Sequence, residues 1–184
     1  MTYIKDTDLN FEHKPVRTLI NRNMPETQLT GLKIGPYEEG KEYDIPYWIA
    51  NELEKAGIAR LRDEELLDIK KLDKTLWKEK IQQTRQITHL EQDFYPRLRR
   101  YLQNLRKQTN TNPDKAQEYR KATDAAQDIV NIRIRKIIAL ASSPEQTNQT
   151  LDNDLAAEEH TLYNQLYTTI NEWKNNILKE PNQQ

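Results

Sequence analysis

All four glycines of this 184-residue chain, Gly31, Gly35, Gly40 and Gly57, fall before residue 58, and none occurs in the remaining two thirds. Glycine supplies the positive-φ positions that tight turns and left-handed helix caps require. A chain that stops using it has stopped turning tightly. The sequence therefore predicts an α+β fold, with a small N-terminal β-rich domain followed by an all-α helical bundle domain. The first spans residues 1–61 and contains one helix; the second spans 62–184.

Within the first part, Pro15 to Ile20 puts Val16, Thr18 and Ile20 on one face of a strand. Leu29 to Ile34 reads as a second strand, Gly35-Pro36 and Glu38-Glu39-Gly40 as turns, and Glu42 to Ile45 as a short returning strand. A helix follows, with Pro46 in its first turn, Ile49, Leu53 and Ala56 at helical spacing, and Gly57 at its left-handed cap. Ile58 to Leu61 closes the sheet.

From Asp63 the period is helical. Asp63, followed by Glu64-Glu65, reads as an N-cap with an acidic first turn. Trp77, Ile81, Thr84, Ile87 and Glu91 trace an inward stripe, which Phe94, Leu98, Tyr101 and Leu105 continue, with a kink or fresh start at Pro96. After a loop at Lys107 to Pro113, a helix runs from about Asp114 to Ala141, and its second half is rich in isoleucine. Such a helix, apolar on several sides, lies in the middle of something. The last helix, about Leu151 to Leu178, repeats Leu155, Leu162, Leu166, Ile170, Trp173 and Ile177.

Composition narrows the chemistry. Without cysteine, disulfides, thiol catalysis and thiolate metal sites are excluded. His13, His89 and His160 are scattered, and no metal or phosphate-loop motif surrounds them. Charged residues make up 31% of the chain with a net charge of -1, so long-range attraction for nucleic acid or membrane is weak. Pairs such as Glu79-Lys80 read as solvated charge. No apolar run is long enough for a membrane span or a signal peptide, so the expectation is a soluble intracellular protein. With its carboxylates beside lysines and arginines and no pattern of convergent polar groups, it is expected not to be an enzyme and to need no cofactor. Mean hydropathy is -1.01, and so thin an apolar stripe implies partner subunits.

Two basic clusters stand out. Arg97, Arg99, Arg100, Arg106 and Lys107, with Tyr95 and Tyr101 among them, form a possible surface for DNA or an acidic partner. A basic helix face whose stems shield the core is the blander alternative. Arg133-Ile134-Arg135-Lys136 lies inside the most apolar helix, where buried charge must be paired. Its partners are acids of the same bundle or of a neighbouring subunit.

The stretch IGPYEEGKEYDIPYWIANELEKAGIARL resembles the small-domain motif of GINS subunits: a glycine-aromatic turn, a second glycine, a proline just before a tryptophan, then leucine, glycine and a final strand. Phe94-Tyr95 is similar to that family's aromatic pair. DIVNIRIRKIIALAS, Asp128 to Ser142, is similar to its arginine-then-lysine-isoleucine helix, with Arg133, Lys136 and Ile137 at the matching places. The order, β-rich domain first, resembles one branch of the family, most simply the archaeal subunit of that type. The resemblance implies a non-catalytic subunit of a hetero-tetramer with a sister GINS subunit. It further implies a role in chromosomal DNA replication, binding the MCM helicase and a RecJ-like protein to activate unwinding, in the cytoplasm at the nucleoid (in the nucleus if eukaryotic). On that footing Ile134, Ile137, Ile138, Leu162, Leu166 and Trp173 are expected at the subunit interface, with Arg133 and Lys136 setting register. Trp48 either anchors a second contact surface or belongs to the small-domain core.

Overall fold

The computed structural model describes residues 2–29, 31–62, 66–82, 86–110, 112–143 and 153–179. The chain divides into two compact units, Met1–Leu67 and Asp68–Gln184. The first is β-rich and the second is a helical bundle, as the loss of glycine predicts.

The small unit opens with α1 (Thr2–His13), which its sequence did not announce. Among the described side chains of this helix only Phe11 is buried, so there is no apolar repeat to read. A three-stranded antiparallel sheet follows in the order β4-β1-β5, from β1 (Pro15–Ile20), β4 (Glu42–Pro46) and β5 (Ala59–Leu61). Pairing of Val16 with Ile45 and of Ile20 with Ala59 places the apolar residues on one face. Thr18 shares that face, and its hydroxyl donates to the Val16 carbonyl at 3.1 Å, so its burial leaves no unpaired donor. The expected single strand Leu29–Ile34 is instead a hairpin, β2 (Thr27–Leu29) and β3 (Leu32–Ile34). Gly31 lies in the turn at φ +89, a conformation that folds the segment back on itself.

α2 (Tyr47–Lys55) lays Ile49, Ala50 and Leu53 into the same core as the sheet. Gly57, at φ +70, ends it. The Ile58 N–H reaches the Leu53 carbonyl and the Gly57 N–H reaches that of Glu54, so two last-turn carbonyls are satisfied as the chain swings into β5. Phe11 packs on Tyr47 with ring centroids 4.7 Å apart, which ties α1 to this core.

The helical unit contains α3 (Ile69–Ile81), α4 (Phe94–Gln108), α5 (Pro113–Ala141) and α6 (Ala157–Leu178). Asp68 caps α3 by accepting from the Lys71 N–H at 2.7 Å. Asn112 caps α5 through the Asp114 N–H at 2.9 Å, with Pro113 in the first turn, where a missing N–H costs nothing. The expected cap at Asp63 and its acidic turn lie outside the described residues, as does Thr84. Pro96 falls in the first turn of α4, a fresh start rather than a kink.

The stripe expected from Trp77 to Glu91 does not form as one helical line: of its described members only Ile87 packs against the core. α3 ends at Ile81, Gln82 is extended, and Trp77 and Ile81 face outward. The inward face carries Leu72 and Glu79, two turns apart. Glu79, read as solvated, is 1% exposed, because its charge has partners inside the bundle. Leu155 is fully buried but precedes α6 instead of lying on it. Along α5, Ala122, Ala125, Ala126 and Ile129 are buried, and α5 packs against α3, α4 and α6. Small side chains at these positions let helix axes approach closely.

A candidate subunit interface and the charge cluster behind it

Arg133 is wholly buried, and every N–H of its guanidinium has an acceptor. Nε donates to Glu159 Oε1 at 2.5 Å and Nη2 to Glu159 Oε2 at 2.6 Å, a two-pronged match of planar groups. Nη1 donates to Glu79 Oε1 and, at 3.0 Å, to the Thr88 carbonyl; Nη2 also reaches the Asp154 carbonyl at 3.0 Å. Lys136 donates to Glu79 Oε2 at 2.7 Å and to the Glu79 carbonyl at 3.0 Å. Two cations and two carboxylates make the cluster neutral as a set.

Its other members complete the accounting. The hydroxyl of Thr88 donates to Glu79, and that of Tyr95 donates to Glu159 at 2.7 Å. The Ala156 N–H, at the head of α6, also donates to Glu159 at 3.0 Å. Burial by itself would raise the Glu79 pKa, but hydrogen bonds from Lys136 and Thr88 and the charges of Arg133 and Lys136 outweigh it, holding the carboxyl below its ordinary range. Burial, and then the neighbouring Glu159 charge, push the Tyr95 phenol upward, so it stays a donor.

One cluster thus fastens α3, the segment at Thr88, the start of α4, the middle of α5, the turn at Asp154 and the start of α6. Slipping α5 by one position would strand all four charges. The apolar packing beside it, Ile137, Leu140, Ala141, Leu155 and Tyr163, tolerates such slips far more readily.

Arg133, Lys136 and Ile137, expected at a subunit interface, are therefore enclosed by their own bundle. Of the two alternatives for the charged partners, same-bundle acids hold Arg133 and Lys136, whereas Arg135 is exposed and donates to the Asn131 carbonyl at 3.2 Å. Ile134 and Ile138, on the other flank of α5, are 37% and 44% exposed. Leu162 and Leu166 are half-buried, and with Ile170 they pack against the Ile137–Leu140 core. Trp173 is 64% exposed.

Leu162, Leu166, Ile170, Trp173 and Ile177 follow helical spacing on one side of α6. The first three meet the chain's own core; Trp173 and Ile177 continue the line into solvent. Lys174 donates to the carbonyl of Ser142, the C-cap of α5, at 2.8 Å. The stripe thus runs on as α5 ends.

The basic segment is largely spoken for. Arg97 pairs with Asp93 at 3.1 Å and Glu91 at 3.3 Å, and Arg99 pairs with Glu158 at 2.8 Å. Arg100 donates to the Pro96 carbonyl at 3.0 Å. Arg106 and Lys107 stay exposed in the last turn of α4, where cations favour the helix dipole. Trp48 is half-buried against the small-domain core.

Glu79, Thr88 and Glu159 were not identified from sequence. One signal was available: Glu79 lies seven residues from Leu72, on that residue's face of α3. Comparison with known proteins agrees with this architecture. Residues 66–178 match the family model "Sld5: GINS complex protein helical bundle domain". The chain is also 28% identical over 153 residues to the human "DNA replication complex GINS protein PSF2", covering 82% of this chain and 78% of that protein.

Proposed function

The chain belongs to the GINS family of DNA replication proteins, and from that premise we propose that it is a non-catalytic scaffold subunit that packs against a sister GINS subunit through the outer part of α6. One observation carries this reading. The apolar side of α6 outruns its own core, leaving Trp173 and Ile177 at 64% and 63% exposure. Covering such side chains contributes about 1.5–3 kcal/mol each. Ile134 and Ile138, exposed on α5, are further candidates for contact with a sister subunit.

The test is co-expression with a sister subunit, followed by mass measurement. The native chain is expected in a hetero-oligomer. Trp173→Glu with Ile177→Glu is expected to release it while its far-ultraviolet dichroism is kept. A chain that stays a folded monomer beside its sister subunit would reject the proposal.

The finer reading is that this assembly, of the archaeal type, binds the MCM helicase and a RecJ-like protein at the nucleoid and stimulates unwinding. A strand-displacement assay with and without the assembly checks it, and an unchanged rate would refute it. Direct DNA contact through Arg97–Lys107 is the weaker alternative, since Arg97, Arg99 and Arg100 already have partners.

A further inference from the structure

On α3, Trp77 is 65% and Ile81 60% exposed. At about 100° per residue, Lys70, Lys74, Trp77 and Ile81 fall within one narrow sector opposite the buried Leu72 and Glu79. Asp73 and Lys78 flank it. Lys70, Lys74 and Lys78 are exposed and have no ion pair among the described residues; Lys80, at the margin, pairs with Asp128 at 3.2 Å. The face therefore combines a surplus of positive charge with two large apolar side chains one turn apart.

We propose that this face of α3 docks an acidic amphipathic helix of a partner protein. Complementarity of charge and spacing argues for that occupant. Lysines at i, i+4 and i+8 rise about 6 Å per step, the repeat at which a second helix presents carboxylates along one side. Trp77 and Ile81 then meet the apolar residues between those carboxylates, as in helix-on-helix recognition. A nucleic acid strand would use the lysines and stack on Trp77, but it has no counterpart for Ile81. The inference is independent of the α6 interface, because it uses a different helix and different residues.

The experiment uses the full chain with its sister subunit. The probe is a synthetic peptide with glutamates and leucines at helical spacing; controls are a scrambled peptide and an oligo-dT strand. Binding is read from tryptophan emission and fluorescence anisotropy. The amphipathic peptide is expected to shift the emission to the blue, a signal absent in Trp77→Phe. Trp77→Ala is expected to weaken binding about 30-fold, the size of an interface hot spot. Lys70→Glu with Lys74→Glu and Lys78→Glu should weaken it at least as much, and melting temperatures should be unchanged because these side chains are exposed. Absence of binding at about millimolar peptide, or equal binding of the scrambled peptide, overturns the proposal. So does tighter binding of oligo-dT through the same residues. Loss of the sister subunit in the triple variant would also overturn it, by assigning the face to the subunit interface.

Discussion

Replacing Arg133 with methionine removes one cation from a cluster that is neutral only as a set of four. Methionine fills much of the same volume but leaves Glu159 without a cation and Glu79 with Lys136 alone. The Thr88 and Asp154 carbonyls lose their donors as well. Breaking a buried ion pair from one side costs about 3–5 kcal/mol, chiefly from the uncompensated charge left behind. Total stability of a domain is about 5–15 kcal/mol, so the loss is a large share. For a helical unit of this size it corresponds to a fall in Tm of about 10–20 °C. Arg133→Met combined with Glu159→Gln leaves Glu79 and Lys136 as a balanced pair and is expected to regain about 1–2 kcal/mol over the single variant. Thermal melts followed at 222 nm, at one fixed protein concentration because association shifts the midpoint, supply both numbers. A loss below about 1 kcal/mol for Arg133→Met, or strict additivity in the double variant, would refute the reasoning, because a coupled buried cluster allows neither.

Arg133→Lys is expected to destabilise too, since three ammonium donors cannot serve five acceptor contacts; a melt within error of the native chain would contradict this. Glu79 has a depressed folded-state pKa, so its contribution is present above the unfolded value and is lost as pH falls through the folded one. Urea midpoints should therefore hold from neutrality to about pH 5 and drop below about pH 4, with a shallower drop in Glu79→Gln. In the small unit, an alanine Cβ at Gly35 would lie 3.1 Å from the Pro25 carbonyl oxygen, whereas at Gly57 nothing lies within 4 Å. Gly57→Ala should cost about 1–2 kcal/mol for its positive φ alone, and Gly35→Ala more; equal midpoints in urea would contradict that order.

Much of this architecture was legible in local signals. The confinement of glycine separated a turning region from a helical one, and alternation in Val16, Thr18 and Ile20 gave the buried face of β1. Gly57 marked a helix end because backbone conformation is a property of a few neighbouring residues. Spacing gave the side of α6 that carries Leu166, Ile170 and Trp173. It could not say where along that line the chain's own core stops, which depends on where α5 ends in space.

Charge placement was the part that sequence could not resolve. Glu79 beside Lys80 looks like any solvated pair on a polar helix, and Trp77 beside Ile81 looks like core. The structure reverses both, because Arg133, 54 residues away, sits where it can share Glu79. Periodicity is local and is written in the sequence. The cost of burying a charge depends on which distant opposite charge meets it, and only the tertiary fold brings the two together.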